Sequence, residues 1–147
     1  MKNIFSGRPV LVGQTSGEAV VSKTGFNAYA VFYNSLEEGT KEALAADSGN
    51  PEIYGKRLDG RILCIPNSIG STSAGAVWSR IVKLGVAPLA VLFSETIDPL
   101  AAGGLVVADM WSGSHLVVVD QLGEAFLEQV TTGSSLHIFE DGRVIIR

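Results

Sequence analysis

Small polar residues are concentrated directly after an apolar run, where they could support chemistry on an anionic substrate. The run Arg61–Ile65 is typical of a strand buried in the middle of a sheet. Asn67–Ser73 then supplies one glycine and four hydroxyls before a stretch with helical spacing. Free backbone N–H groups and the helix dipole attract anions at a helix N-terminus. One hydroxyl suffices as a cap, so the surplus favours a binding site. The candidate residues are Asn67, Ser68, Gly70, Ser71, Thr72 and Ser73.

A second polar loop follows the next predicted strand. Leu89–Phe93 is predicted to be another buried strand, and Ser94–Pro99 comes directly after it. If the two strands are parallel neighbours, both loops open on the same edge of the sheet, where α/β folds bind ligands. Asp98 would then face the serine loop. Alternatively, Asp98 or Thr96 caps a helix that starts at Pro99, and the two roles are compatible.

Short β runs alternate with two or three helical stretches, which predicts a mixed α/β domain. A helix is predicted to begin within the serine cluster and to end at Gly85. Its apolar face would consist of Ala74, Val77, Trp78, Ile81 and Val82. A short helix is predicted over Gly123–Gln129. The Asp-Gly pair at 141–142 predicts a hairpin between Leu136–Phe139 and Val144–Ile146.

The N-terminal third of the chain carries weaker patterns. Pro9–Val12 and Glu18–Val21 are predicted to be strands joined as a hairpin. The segment from about Gly25 to Lys56 is interpreted as a surface excursion with a short helix. Residues 1–147 are expected to form one domain, because 147 residues with 46% apolar content supply a single core.

Charge and apolar patterning exclude several classes of function. The net charge is −4 and the 11 Lys and Arg residues are scattered, so nucleic-acid binding is not expected. No apolar run approaches the roughly 20 residues that span a bilayer. Residues 1–7 lack the apolar core of a secretory signal. The sequence therefore predicts a soluble, cytoplasmic protein that does not bind membranes.

Cysteine and histidine residues do not have the spacing of a metal site. Cys64 is the single cysteine and lies inside an apolar run, which excludes an internal disulfide and favours a buried structural thiol. His115 and His137 stand 22 positions apart, without further ligands at suitable spacing. We therefore expect no metal and no cofactor to be bound by this chain alone.

Several sequence blocks, taken in order, resemble the small subunit, or swivel domain, of the aconitase X family. The blocks are Gly7–Val12, Leu58–Leu63, Pro66–Ser73, Gly85–Ala90, Thr96–Gly103 and the closing Gly133–Val144 hairpin. They cover most of the chain outside about 25–56, which fits the family poorly. The resemblance implies a flattened β barrel with flanking helices, as in the aconitase swivel domain. It also implies a heterodimer, in which a large subunit holds an iron-sulfur cluster, and a hydro-lyase activity that needs both chains.

The resemblance also assigns roles to the candidate residues. By analogy with aconitase, Ser71 would be the catalytic base that removes a proton α to a carboxylate. The substrate-binding residues would be Asn67, Ser68, Gly70, Thr72, Ser73 and Asp98. The helix N-terminus would stabilise the alkoxide that a serine base requires, and an arginine of the partner could complete this stabilisation. Iron of the partner's cluster would act as a Lewis acid on the departing hydroxyl.

The family's known reactions suggest more than one substrate. Bacterial members dehydrate cis-3-hydroxy-L-proline, and archaeal members dehydrate mevalonate 5-phosphate. Many relatives have an arginine just before the Gly-Ser pair, where this chain has Ile69. Since an arginine there could bind a charged group, its absence favours cis-3-hydroxy-L-proline, which would be converted to Δ1-pyrroline-2-carboxylate. The alternatives are mevalonate 5-phosphate or another small hydroxy acid, and a non-catalytic swivel-fold module that binds a ligand or a protein.

Overall fold

Short strands and helices alternate along the chain in the computed structural model, which describes residues 3–69, 74–112 and 115–147. The strands in these ranges are β1 (Ile4–Ser6), β2 (Arg8–Leu11), β3 (Thr15–Val21), β4 (Phe26–Asn27), β5 (Ile62–Ile65), β6 (Ser68–Ile69), β7 (Ala90–Phe93), β8 (Val117–Asp120), β9 (Ser135–Ile138) and β10 (Arg143–Ile146). The helices are α1 (Ala28–Val31), α2 (Tyr33–Glu38), α3 (Ala74–Lys83), α4 (Pro99–Ser112) and α5 (Glu124–Gln129). The predicted mixed α/β class is confirmed.

Eight of the described strands form one sheet whose two edges lie close together. The order is β1-β10-β9-β3-β5-β7-β8-β2, and β3, β5, β7 and β8 are mutually parallel. The edge strands β1 and β2 are consecutive in the chain and only Gly7 separates them. The sheet must therefore curl until its edges nearly meet, which confirms the predicted barrel.

Gly7 permits this closure because a side chain there would have no room. A Cβ atom at Gly7 would lie 2.5 Å from the carbonyl oxygen of Asp120 and 2.6 Å from Cγ1 of Val119. The Gly7 N–H also donates to the carbonyl of Gly142 over 2.9 Å. The glycine thus lets the link between the two edge strands pack against β8 and against the β9–β10 turn.

Apolar side chains cover both faces of the sheet, and β5, β7 and β8 are therefore buried along their whole length. One core cluster fills the barrel interior and includes Phe5, Cys64 and Phe126, the last from α5. A second cluster lies on the outer face, where α3 and α4 pack against each other. Within the described residues, no helix has the length and apolar content needed to cross a membrane.

Local sequence signals correctly predict α3, α5 and the final hairpin. The described part of the predicted face of α3 is buried at Val77, Trp78, Ile81 and Val82. Gly85 has a φ of 76° and its N–H donates to Val82, while the Val86 N–H donates to Ile81. These two bonds form a Schellman motif, which confirms the helix end at Gly85. Strands β9 and β10 pair antiparallel, with Val144 opposite Ile138.

The predicted hairpin between Pro9–Val12 and Glu18–Val21 is wrong. Strand β2 pairs with β8 at one edge of the sheet, whereas β3 lies between β9 and β5. The two strands are therefore consecutive in the chain but far apart in the sheet. If β2 paired with β3, it would no longer be the edge strand that lies next to β1. Closure of the barrel therefore overrides the local turn signal.

The interpretation of the segment from Gly25 to Lys56 as a surface excursion is also corrected, because one side of it is buried in the outer core. Its buried apolar residues are Phe26, Ala28, Val31, Phe32, Leu36, Ala43, Ala45 and Ile53. The rings of Phe26 and Phe32 lie 5.9 and 5.8 Å from that of Trp78 in α3. Two short helices occur instead of one, and the aromatic contacts explain why helical periodicity was weak there.

Candidate functional site

The described residues of the two predicted loops lie side by side at one edge of the sheet. Strands β5 and β7 are parallel neighbours, with Ile65 opposite Phe93 at their carboxyl ends. Residues 66–69 and 94–98 therefore leave the sheet together, which confirms that the two strands are parallel neighbours. Helices α3 and α4, which come next after the loops, pack against each other on the outer face.

Asn67 connects the two loops through its side-chain amide. Its Nδ2 donates to the carbonyl of Thr96 over 3.1 Å. Its Oδ1 accepts from the backbone N–H of Ser68 at 2.9 Å and from that of Asp98 at 3.3 Å. The oxygen is therefore fully used, while the second N–H of Nδ2 has no partner among the described residues. Asn67 thus holds the described parts of the two loops together.

Ser68 is held by a strand that the sequence did not reveal. Strand β6 pairs parallel with β4, with Phe26 opposite Ser68, and the Phe26 N–H donates to the carbonyl of Asn67 over 3.1 Å. The Ser68 Oγ is buried and has no hydrogen-bond partner in the described part of the chain. The chain just before Gly70 is therefore fixed by the segment that was interpreted as an excursion.

Asp98 both contacts Asn67 and caps α4. Its Oδ1 accepts from the Leu100 N–H at 3.4 Å, and its carbonyl accepts from the Ala102 N–H at 2.9 Å. Pro99 occupies the first helical position, where a missing N–H carries no penalty. The capping interpretation is supported, and the contact with Asn67 is compatible with it.

The remaining predicted site residues lie outside the described residues. These are Gly70, Ser71, Thr72 and Ser73. The described chain reaches Ile69 before them and resumes at Ala74, the first residue of α3, after them.

Sequence reasoning missed two charged residues at this edge. Asp120 ends β8 and is completely buried. Its carboxylate accepts from Arg8 Nε at 2.9 Å, from Arg8 Nη2 at 2.7 Å and from the backbone N–H of Ile97 at 2.8 Å. The hydrogen bonds with Asp120 raise the pKa of the Arg8 guanidinium. An aspartate at the end of an otherwise apolar strand was the signal that could have revealed this pair.

The described side chains offer few groups that could bind a metal ion. Cys64 is fully buried in β5, and burial raises the pKa of its thiol, which disfavours the thiolate that binds metals. The described ranges contain no group of three or more His, Cys, Asp or Glu side chains that could hold a metal ion.

The comparisons with known proteins agree with this geometry. The sequence profile of the Aconitase X swivel domain matches residues 4–146. The chain belongs to the aconitase X swivel-domain family. The fold of this swivel domain is similar to that of the aconitase X crystal structure from Thermococcus kodakaraensis in its holo-form, with a TM-score of 0.80, 23% identity and 99% coverage of both chains. The predicted swivel fold is thereby confirmed.

In two relatives, the region similar to this swivel domain makes up very different shares of the whole protein. The swivel domain is 31% identical over 121 residues to the cis-3-hydroxy-L-proline dehydratase of Pseudomonas aeruginosa, covering 82% of this chain but 19% of that protein. It is also 31% identical over 140 residues to the phosphomevalonate dehydratase small subunit of Aeropyrum pernix, covering 95% of this chain and 90% of that one. The chain therefore spans a small part of the first relative and most of the second.

Proposed function

We propose that this chain is the small subunit of an aconitase X type hydro-lyase. Together with a large subunit, it would dehydrate cis-3-hydroxy-L-proline to Δ1-pyrroline-2-carboxylate. The observation that carries the proposal is the loop pair at the carboxyl ends of β5 and β7, which Asn67 joins next to residues 70–73. Residues 1–147 act as one swivel domain in this proposal.

Ser71 is the proposed base that removes the proton α to the substrate carboxylate. A serine hydroxyl is a poor base in water, so donors and positive potential must stabilise its alkoxide. The N-terminal end of α3, which comes next in the chain, provides part of that potential. Gly70, Thr72 and Ser73 contribute further donors to the same stretch.

Asn67, Ser68 and Asp98 are the proposed substrate-binding residues that the structure describes. Asn67 offers its second Nδ2 proton, and Ser68 offers a hydroxyl that has no partner among the described residues. Asp98 adds a carboxylate that would orient a protonated ring nitrogen, as cis-3-hydroxy-L-proline carries. Because Asp98 also caps α4, its position is fixed before the substrate binds.

An iron-sulfur cluster on the large subunit would supply Lewis-acid assistance to the leaving hydroxyl. The location on the partner is proposed because Cys64, the single cysteine of this chain, is buried in β5 away from solvent. The task of this chain is then to hold the base and the substrate, and to exclude water when the two bodies close.

The exposed side of α4 is the proposed contact surface for the large subunit. Leu100, Val107 and Met110 are 49%, 47% and 73% exposed, although the opposite side of the helix is already buried in the outer core. A helix that is apolar on all sides is normally covered on all sides. The exposed stripe starts two residues after Asp98, so a body that covers it also reaches the site edge.

The contexts of the two relatives support this choice of partner. In the Pseudomonas aeruginosa protein the matched region is 19% of the chain, so a much larger body is covalently joined to it. The Aeropyrum pernix relative is by name a small subunit, so its larger body is a separate chain. A separate swivel domain must bind its larger body through a surface, and an uncharged apolar stripe suits a stable contact.

Dehydration of mevalonate 5-phosphate is the second candidate function. The similarity to the Aeropyrum pernix small subunit over 95% of this chain favours it. Ile69 offers no positive charge that could bind a phosphate, and this favours cis-3-hydroxy-L-proline, which carries no phosphate.

The experiment is a turnover assay on the complex reconstituted from both chains under anaerobic conditions. Each substrate is supplied separately, and the dehydrated product is measured by mass spectrometry. We expect cis-3-hydroxy-L-proline to be consumed by the complex and by neither chain alone. Turnover of mevalonate 5-phosphate instead would establish the second candidate, and turnover of neither substrate would contradict both.

A further inference from the structure

A continuous set of hydrogen bonds runs from Arg8 to the predicted substrate loop. Asp120 accepts from both Nε and Nη2 of Arg8, at 2.9 and 2.7 Å, and from the Ile97 N–H at 2.8 Å. The next residue in the chain, Asp98, donates its N–H to Asn67, and the preceding Thr96 accepts from Asn67. The 94–98 loop is therefore held by Asp120 on one side and by Asn67 on the other.

Burial of the Asp120 carboxylate costs desolvation free energy, so packing alone does not account for an aspartate at this position. Asp120 is completely buried, and a buried charge stabilises a fold no better than an apolar residue of similar volume. Every other residue of β8 is apolar and is packed in a core cluster. An apolar residue at position 120 would therefore serve packing equally well, but it could not accept a hydrogen bond from the loop.

Arg8 offsets the cost of burying the Asp120 carboxylate and fixes the orientation of that carboxylate. The guanidinium binds Asp120 side-on through Nε and Nη2, and the Arg8 side chain is 53% exposed. Two parallel N–H···O bonds fix the plane of the carboxylate, which a single donor would leave free to rotate. The oxygen Oδ2 is thereby aimed at the N–H of Ile97.

We propose that Asp120, oriented by Arg8, is a positioning residue for the site. It fixes the 94–98 loop, and this loop in turn fixes Asn67, which precedes Gly70 by three positions in the chain. The inference rests on the proposed function and adds to it a residue that does not touch the substrate. A displacement of about 1 Å in the site can cost about 100-fold in rate, so a loosened loop lowers kcat.

The test compares Asp120→Leu, Asp120→Asn and a control, Asp141→Asn. Leucine has nearly the shape of aspartate but accepts no hydrogen bond, while asparagine keeps one acceptor oxygen. The control carboxylate pairs with Arg143 at 2.7 Å in the exposed β9–β10 turn and, within the described residues, makes no hydrogen bond to the 94–98 loop. Two readouts are made: hydrogen exchange of the Ile97 and Asp98 amides in the single chain, and kcat and KM of the reconstituted complex.

We expect Asp120→Leu to speed exchange of both amides and to lower kcat about 100-fold, with a raised KM as well because Asn67 and Asp98 are proposed to bind the substrate. Asp120→Asn should fall between this variant and the wild type, and the control should match the wild type in both readouts. A lowered melting temperature with unchanged kcat in the folded complex would overturn the proposal, because it would leave Asp120 with a purely structural role.

Arg8→Gln is the second variant, in case Asp120→Leu does not fold. It keeps the bond between Asp120 and Ile97 and removes the group that orients the carboxylate, so we expect a loss in kcat of about tenfold. Unchanged kcat in a folded Arg8→Gln complex would refute the role of Arg8. The exchange readout needs no partner or substrate, so it decides on the positioning role even if the proposed reaction is wrong.

Discussion

Replacing Asn67 by alanine removes the side chain that joins the two loops of the site. Three hydrogen bonds are lost, with lengths of 2.9, 3.1 and 3.3 Å. Each typically contributes about 0.5–1.5 kcal/mol net, and the lower half of that range applies because the side chain is only half-buried. We expect the free energy of unfolding to fall by about 2 kcal/mol, which lowers the melting temperature of a chain of this length by about 4–8 °C.

The assay is urea unfolding followed by circular dichroism, combined with a thermal scan. Asn34→Ala is the matched control, because Asn34 is also half-buried but its side chain makes no hydrogen bond within the described residues. We expect that variant to stay within about 0.5 kcal/mol of the wild type. If Asn67→Ala lost no more stability than the control, the loops would not be joined in solution as the structure has them.

Two further predictions concern the buried thiol and the apolar stripe of α4. Because burial raises the pKa of the Cys64 thiol, the unfolded chain loses this proton first as the pH rises through about 8.5, and the free energy of unfolding falls with a slope that approaches about 1.4 kcal/mol per pH unit. Cys64→Ala should lack this slope when urea unfolding is measured between about pH 8 and about 9.5, a range around the ordinary thiol pKa. An equal slope in both proteins would contradict the assignment. Val107→Glu and Met110→Glu should weaken co-purification of the large subunit at least about tenfold, because each buries a charge. Val12→Glu, at another exposed valine, should not, and equal loss in all three would refute the proposed contact.

Elements with a local signal could be predicted from the sequence, and elements fixed by distant contacts could not. Helix α3 shows its apolar spacing and its terminal glycine within twelve residues, Ala74–Gly85, so a single pass along the chain finds both. The β9–β10 hairpin likewise depends on the Asp-Gly pair between its strands. By contrast, β2 finds its partner in β8, more than a hundred residues later, and no local pattern could favour that pairing over the nearby β3.

The candidate site divides in the same way. Asn67, Ser68 and Asp98 were found because polar residues interrupt apolar runs at the ends of two strands. Arg8 and Asp120 were missed because they are separated by 112 positions, so an aspartate at the end of an apolar strand has no visible partner nearby in the sequence. The burial of Phe26 was missed because aromatic packing against α3 leaves no periodic pattern in the sequence.

The proposed half-site is tested most directly by Ser71→Ala in the reconstituted two-chain complex. The variant and a control, Ser135→Ala at an exposed position of β9, are assayed for kcat on cis-3-hydroxy-L-proline, and assembly is checked by gel filtration. Loss of a general base should lower kcat by about 10²–10⁴-fold while the complex stays assembled and the control keeps its activity. An assembled Ser71→Ala complex with wild-type turnover would contradict the account.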